Sequence, residues 1–137
     1  MTILRNIGAV ILGLIVGMAL NMGLVLLNMV FFPMPEGISM SDQAGMAAWM
    51  AELPQTAFIL PVMAHMAQAF GGAWVAARIG ASRPMLLAMI IGVLSLIGGV
   101  MNMLSIPGPI WMWAEMPLYI LLAGLAGWLE LKRRDRA

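Results

Sequence analysis

There is no cysteine among the 137 residues, and only one histidine and one tyrosine. The lack of thiols removes disulfides, thiolate nucleophiles, Cys-ligated zinc and iron–sulfur clusters together. Charge is scarce too: seven Lys/Arg and six Asp/Glu make up 9% of the chain, against about 25% in soluble domains. So few charges cannot clothe the surface of a water-soluble domain. The net charge of +1 supplies no basic field for nucleic acid, and no acidic block suggests a solvating tail.

What the chain has instead is apolar residues, 63% of the total. A membrane-crossing helix takes about 20 mostly apolar residues, and four stretches qualify. They are residues 7–32, interrupted only by Asn21 and Asn28; 56–77, carrying His65 and Gln68; 85–106, with Ser95, Asn102 and Ser105; and 110–131, with Glu115 and Pro117. The first is expected to be a retained span. The apolar core of a secretory signal runs about 7–15 residues to a small-x-small site, whereas this run is far longer and ends in Phe31-Phe32-Pro33-Met34-Pro35. The expected fold class is all-α: an integral membrane four-helix bundle of two hairpins, one transmembrane domain over residues 1–137. A short extracytoplasmic surface helix is expected at 43–52, capped by Ser41 or Asp42. Met46, Trp49, Met50 and Leu53 recur there at spacings of three and four, giving one apolar edge suited to a membrane surface.

Orientation follows from the cations. Arg5 precedes the first span, Arg78 and Arg83 lie between the second and third, and Lys132, Arg133, Arg134 and Arg136 follow the fourth. The opposite connections, 33–55 and 107–109, hold Glu36, Asp42 and Glu52 but no Lys or Arg. The positive-inside rule therefore puts both termini in the cytoplasm. Trp111 and Trp113 at the outer edge, with Trp74 and Trp128 at the inner edge, fit headgroup depth in that frame.

Asn28-Met29-x-x-x-Pro33-x-Pro35 at the outer end of span one matches Asn102-Met103-x-x-x-Pro107-x-Pro109 at the outer end of span three. The match suggests a parallel duplication of the hairpin. Equally, proline punctuates many helix ends, and 16 Met make chance pairs common.

An ionisable group in hydrocarbon costs at least about 2.5–3.5 kcal/mol at the centre, so it is expected to face protein or a water-filled cavity. At 1.5 Å per residue, Asn28, Asn102 and Glu115 fall roughly 6–7 Å below the outer boundary, and Asn21, His65, Ser95 and Tyr119 roughly 13–17 Å. One stripe per span carries them: Gly17, Asn21, Leu24, Asn28; Pro61, His65, Gln68, Gly72; Gly92, Ser95, Gly99, Asn102; and Glu115, Tyr119, Ala123, Ala126. Small residues on such stripes let helices approach, and the amides and hydroxyls can act simply as interhelical glue. His65 stands out as the one side chain here whose ordinary titration lies near neutrality. Pro61 leaves the Ala57 carbonyl without a helical partner and loosens the helix one turn outward of His65. Glu115 is read either as a water-reached interfacial carboxylate or as a buried partner of Asn28, Asn102 or His65. The methionines raise copper chemistry. Yet Met63 and Met66 diverge by about 60° around a helix, and methionine is a common core filler, so no metal and no cofactor are expected.

The run Phe58-x-x-Pro61-x-x-Ala64-His65, followed by Gly71-Gly72-Ala73-x-x-Ala76-Ala77 and Pro107-x-Pro109-x-Trp111, resembles a group of small bacterial four-span membrane proteins to which no activity is attached. The resemblance covers most of the chain and implies a bacterial inner-membrane location. Small multidrug exporters differ in carrying a carboxylate deep in span one, where this chain has Asn21. Fluoride channels carry a T-F-S-T-like run, and membrane-bound glutathione transferases an R-x-x-N-x-x-E signature, both absent here. The expectation is a small transporter-like or channel-like protein with a polar cavity formed by Asn21, Asn28, His65, Gln68, Ser95, Asn102, Glu115 and Tyr119. The alternative is a non-catalytic accessory subunit of a larger membrane complex. An intramembrane enzyme on His65 and Glu115 lacks a supporting nucleophile or ligand set. Beyond the lipid bilayer, the expected partners are further copies of the chain or that larger complex.

Overall fold

The computed structural model describes residues 1–39, 41–106 and 108–136. Those residues form five α-helices and no strand: α1 (Thr2–Phe31), α2 (Gln43–Glu52), α3 (Ile59–Ile79), α4 (Pro84–Ser105) and α5 (Met116–Arg134). Two 3-10 turns, Gln55–Phe58 and Ile110–Glu115, lead into α3 and α5. Four helical segments are long and apolar enough to cross a membrane: Thr2–Phe31, Gln55–Ile79, Pro84–Ser105 and Ile110–Arg134.

Helix ends follow local chemistry. α1 begins at Thr2 rather than at residue 7 because nothing in Thr2–Asn6 breaks a helix; it stops two residues short of Pro33, as residues before proline leave the helical region. Asp42, not Ser41, caps α2, its carboxylate accepting the Gly45 N–H at 3.0 Å. α4 opens on Pro84 at its first position, where no amide is needed. Pro61 is the third residue of α3 and Pro117 the second of α5, again where helical amides lack intrahelical partners. The loosening expected outside His65 thus takes the form of a change from 3-10 to α winding.

Both termini and the α3–α4 turn lie at one end of the bundle. Arg5 Nε donates to the Ile79 carbonyl at 2.9 Å, and an Arg134 guanidinium nitrogen donates to the carbonyls of Ala77 at 2.7 Å and Gly80 at 2.9 Å. All seven cations flank this basic end. At the opposite, acidic end, Trp111 Nε1 donates to Gln55 Oε1 at 2.5 Å, tying the two 3-10 turns together. Phe58 meets Trp111 edge-on there, ring centroids 6.5 Å apart. Met50 and Leu53 of the α2 region pack onto a cluster of Ala57, Phe58, Met103 and Met112. The apolar edge expected to lie on a membrane surface therefore also seals the end of the bundle.

α3, α4 and α5 pack against one another, while α1 lies along α3 and touches α4 only lightly. The α1–α3 seam is close because it is built from glycine: a Cβ on Gly13 would stand 2.6 Å from the Gly72 carbonyl oxygen, and one on Gly17 2.9 Å from that of Gln68. Below it sits a core of small residues, Ala73, Ala76, Ala77, Ala88, Ala123 and Ala126, around Leu87 and Ile91. Such close seams gain van der Waals contact between backbones.

α1 and α4 end at corresponding residues of the matched N-M-x-x-x-P-x-P runs. The Phe32 N–H bonds the Asn28 carbonyl at 2.9 Å, and the Ile106 N–H bonds the Asn102 carbonyl at 2.8 Å. Pro107 of the second run lies outside the described residues. The hairpins are nevertheless not arranged as a two-fold pair, because α4 packs on α3 and α1 makes no comparable contact with α5.

Candidate functional site

Glu115 is the last residue of the second 3-10 turn and stands directly before α5. That position turns its side chain into the bundle, where 3% of the residue remains exposed. Oε1 lies 2.7 Å from His65 Nδ1 across the α3–α5 seam, and the Tyr119 hydroxyl, one turn along α5, donates to the same oxygen at 3.3 Å. The His65 and Tyr119 rings lie beside each other, centroids 6.1 Å apart. Tyr119 is buried, and its hydroxyl fits against Gly99 of α4, where a Cβ would stand 2.6 Å from it. The other carboxylate oxygen, Glu115 Oε2, is buried and takes no hydrogen bond from the described residues.

The structure thus brings three of the eight expected residues into one hydrogen-bonded cluster and joins the two depths at which the sequence placed them. Of the alternatives for Glu115, it shows burial against His65. Ser95 is buried on the same face of α4 as Gly92 and Gly99, and its hydroxyl has no partner among the described residues. Asn28 is half-buried on α1 with Oδ1 likewise unpaired. Asn21 and Gln68 are half-buried. Asn102 departs from its stripe: it is exposed, and its neighbour Met103 takes the inward position against Phe58 and Met112. Successive residues differ by about 100° around a helix, so an apolar side chain one place on displaces the amide from the core. Two cavities, one at each end of the bundle, are lined by none of the eight residues.

Chemically, an imidazole and a carboxyl at 2.7 Å can share one proton, held as imidazolium with carboxylate or as neutral imidazole with carboxylic acid. The tyrosine donor remains in place for either form. Glu115 and His65 alone make no metal centre, and among the described residues no group of three or more His, Cys, Asp or Glu converges on a point.

No family model, no curated protein and no solved structure matches the chain.

A second buried carboxylate escaped the sequence reading. Glu130 is fully buried at the basic end of α5. Arg133 donates to both its oxygens, at 2.8 and 2.6 Å, Arg134 Nε donates to Oε1 at 2.9 Å, and Arg78 of α3 stands 3.6 Å away. Its signal was present: Glu115, Tyr119, Ala123, Ala126 and Glu130 fall at steps of four, four, three and four, one continuous stripe. Asn6 was also missed, lying before the assumed first span. Its Oδ1 accepts the N–H groups of Ala81 at 2.8 Å and Ser82 at 3.3 Å, and its Nδ2 donates to Ser82 Oγ at 3.1 Å, clasping the α3–α4 turn.

Proposed function

We propose that this protein is a small transporter-like protein of the bacterial inner membrane, both termini cytoplasmic, in which His65, Glu115 and Tyr119 form a proton-binding element. The observation that carries the reading is the unpaired Oε2 of a buried carboxylate. In a purely structural ion pair within an apolar bundle, every lone pair needs a donor to offset desolvation. A carboxylate with one oxygen committed and one open suits a group that binds and releases a proton or the donor group of a solute. The glycines opposite Tyr119 and the winding change just outside His65 lie where a small helix movement would open the cluster toward the acidic end. At 137 residues the chain is small for a permease, and assembly with further copies belongs to this reading.

The alternative, an accessory subunit, draws on α1, whose long side chains, among them Ile11, Ile15, Met18, Met22 and Leu26, are exposed along its length. One experiment separates the two. Purified protein is heated with a panel of small cationic, anionic and neutral solutes at two pH values. The proposal expects at least one solute to raise Tm in a pH-dependent way, by mass action on the folded state. That shift should be lost in Glu115→Gln and His65→Asn, whose solute-free Tm falls by no more than a few degrees. Shifts that survive both substitutions, or no stabilising solute together with a stoichiometric larger partner on purification, would overturn it in favour of the accessory role.

A further inference from the structure

At the basic end, α1 and α4 run side by side in the same direction with little contact between them, and a groove of about 630 Å³ opens between their first turns. Its walls are apolar, Ile7 and Ile11 from α1 and Leu86 and Ile90 from α4, and its mouth is polar, with Ser82 and Arg83 at the rim. These wall residues are themselves exposed, so the groove faces outward along its side rather than into the bundle. The lining on α1 extends from Thr2 to Ile11, nine rises of 1.5 Å or about 13.5 Å. With the hydrocarbon boundary at residues 7 and 85, Ile11 and Ile90 lie about 6–7.5 Å inside it, so the groove reaches from headgroup level about halfway down a leaflet of about 15 Å. A slot of that length with greasy walls and one polar mouth matches the headgroup region and the upper half of a single acyl chain in one leaflet.

The mouth selects the headgroup. Arg83 is the only non-glycine among the described residues with a positive φ, 51°, a conformation disfavoured for an ordinary side chain. The turn that imposes it is held from α1 by the Asn6 clasp. The Arg83 side chain is exposed and, among the described residues, takes no hydrogen bond or ion pair. Nothing acidic occupies the first turn of α4, and no side chain caps it, so the partial positive charge of that helix end adds to the guanidinium. Across this whole end of the molecule, seven cations face two carboxylates, Glu130 and Asp135, and Glu130 is already engaged by arginines.

We infer that the α1–α4 groove is a binding site for an anionic phospholipid, one acyl chain lying between Ile7, Ile11, Leu86 and Ile90 and the phosphate at Arg83. The assignment is independent of the proton-binding reading, since none of its residues belongs to that cluster. The test uses the full-length protein in detergent, with native mass spectrometry reading the retained lipid and Tm reading stability. Phosphatidylglycerol is expected to stay bound and raise Tm, phosphatidylcholine to be retained about fivefold less, the factor one nearby cation supplies, and inorganic phosphate to do neither. Arg83→Asn, chosen because asparagine tolerates positive φ, should remove the preference between the two lipids. Arg136→Gln, a cation at the same end but outside the groove, should keep it. Ile90→Trp, which fills the slot, should lower retention of both lipids. Equal retention of the two lipids by the parent protein, an unchanged preference in Arg83→Asn, phosphatidylglycerol held as before by Ile90→Trp, or full stabilisation by phosphate alone would each overturn the assignment.

Discussion

Two carboxylates are buried in this bundle, and they are treated in opposite ways. Glu130, at the basic end, has both oxygens bonded by arginines at 2.6–2.9 Å, and one of those arginines, Arg134, also bonds the carbonyls that end α3. Glu115, toward the acidic end, has one oxygen shared between His65 and Tyr119 and the other left unpaired. Guanidinium keeps its charge throughout the accessible pH range, whereas imidazole does not. A carboxylate surrounded by arginine is therefore fixed in one state and works as a fastener between α3 and α5. One paired with a histidine can exist in two states, and the unpaired oxygen leaves room for the second. The difference shows that burial alone does not fix what a carboxylate can do; the number and kind of donors around it decide how freely it can change state.

The contrast is tested most strongly by the paired substitutions Glu130→Ala and Glu115→Gln, read by Tm and two-state unfolding in detergent. The first leaves three guanidinium groups without their common acceptor. Because those arginines are partly exposed, water replaces some of what is lost, and the expected destabilisation is about 2–3 kcal/mol rather than the about 3–5 of a deep pair. The second keeps an acceptor oxygen for His65 and Tyr119 and should cost about 1 kcal/mol. Equal losses would show that both carboxylates are fasteners and remove the ground for assigning Glu115 a proton-binding role.

A finer distinction lies within the basic cluster. Arg134→Ala removes a contact to Glu130 and the donor to Ala77 and Gly80, so a loss of about 1–2 kcal/mol is expected. Arg133→Ala removes both of its bonds to Glu130, but that side chain is half exposed and water can replace it, so Tm should move less than in Arg134→Ala. If the two behave alike, the tie to the α3 end contributes nothing and Glu130 organises only its own helix.

These two carboxylates also show what was legible in the sequence. The four spans and α2 could be read from apolar length, proline position and an Asx cap, because those are local properties of the chain. The stripe Glu115, Tyr119, Ala123, Ala126 was readable from helical spacing, yet its next member, Glu130, was absorbed into the cationic tail that follows it. The pairing of Glu115 with His65 rather than with an asparagine was not legible. It depends on how α3 and α5 face each other and on a 3-10 turn, and the choice between 3-10 and α winding rests on a one-residue shift in hydrogen bonding. Asn102 illustrates the reverse error: a correct stripe by spacing, broken because Met103 has more to gain from the apolar cluster at that end. Asn6 was invisible for a simpler reason, as its partners are the backbone amides of a turn 75 residues away.

Smaller effects probe the neighbourhood of Glu115. Tyr119→Phe deletes the 3.3 Å bond while keeping the ring against Gly99, and such bonds between membrane helices average about 0.6 kcal/mol. A cost well above that would mean that the hydroxyl is needed to hold the carboxylate in place.

The smallest effect is expected at Ser95, and its sign is more informative than its size. The hydroxyl is buried with no partner among the described residues, so Ser95→Ala relieves an unmet hydrogen-bonding demand. Stability should be unchanged or rise by up to about 1 kcal/mol. A fall would mean that Ser95 is bonded after all, through a water or a bound solute beside Tyr119. The open side of the Glu115 cluster would then be wet, and the proposed proton-binding element would have a path to α4 that Glu130, enclosed by its arginines, lacks.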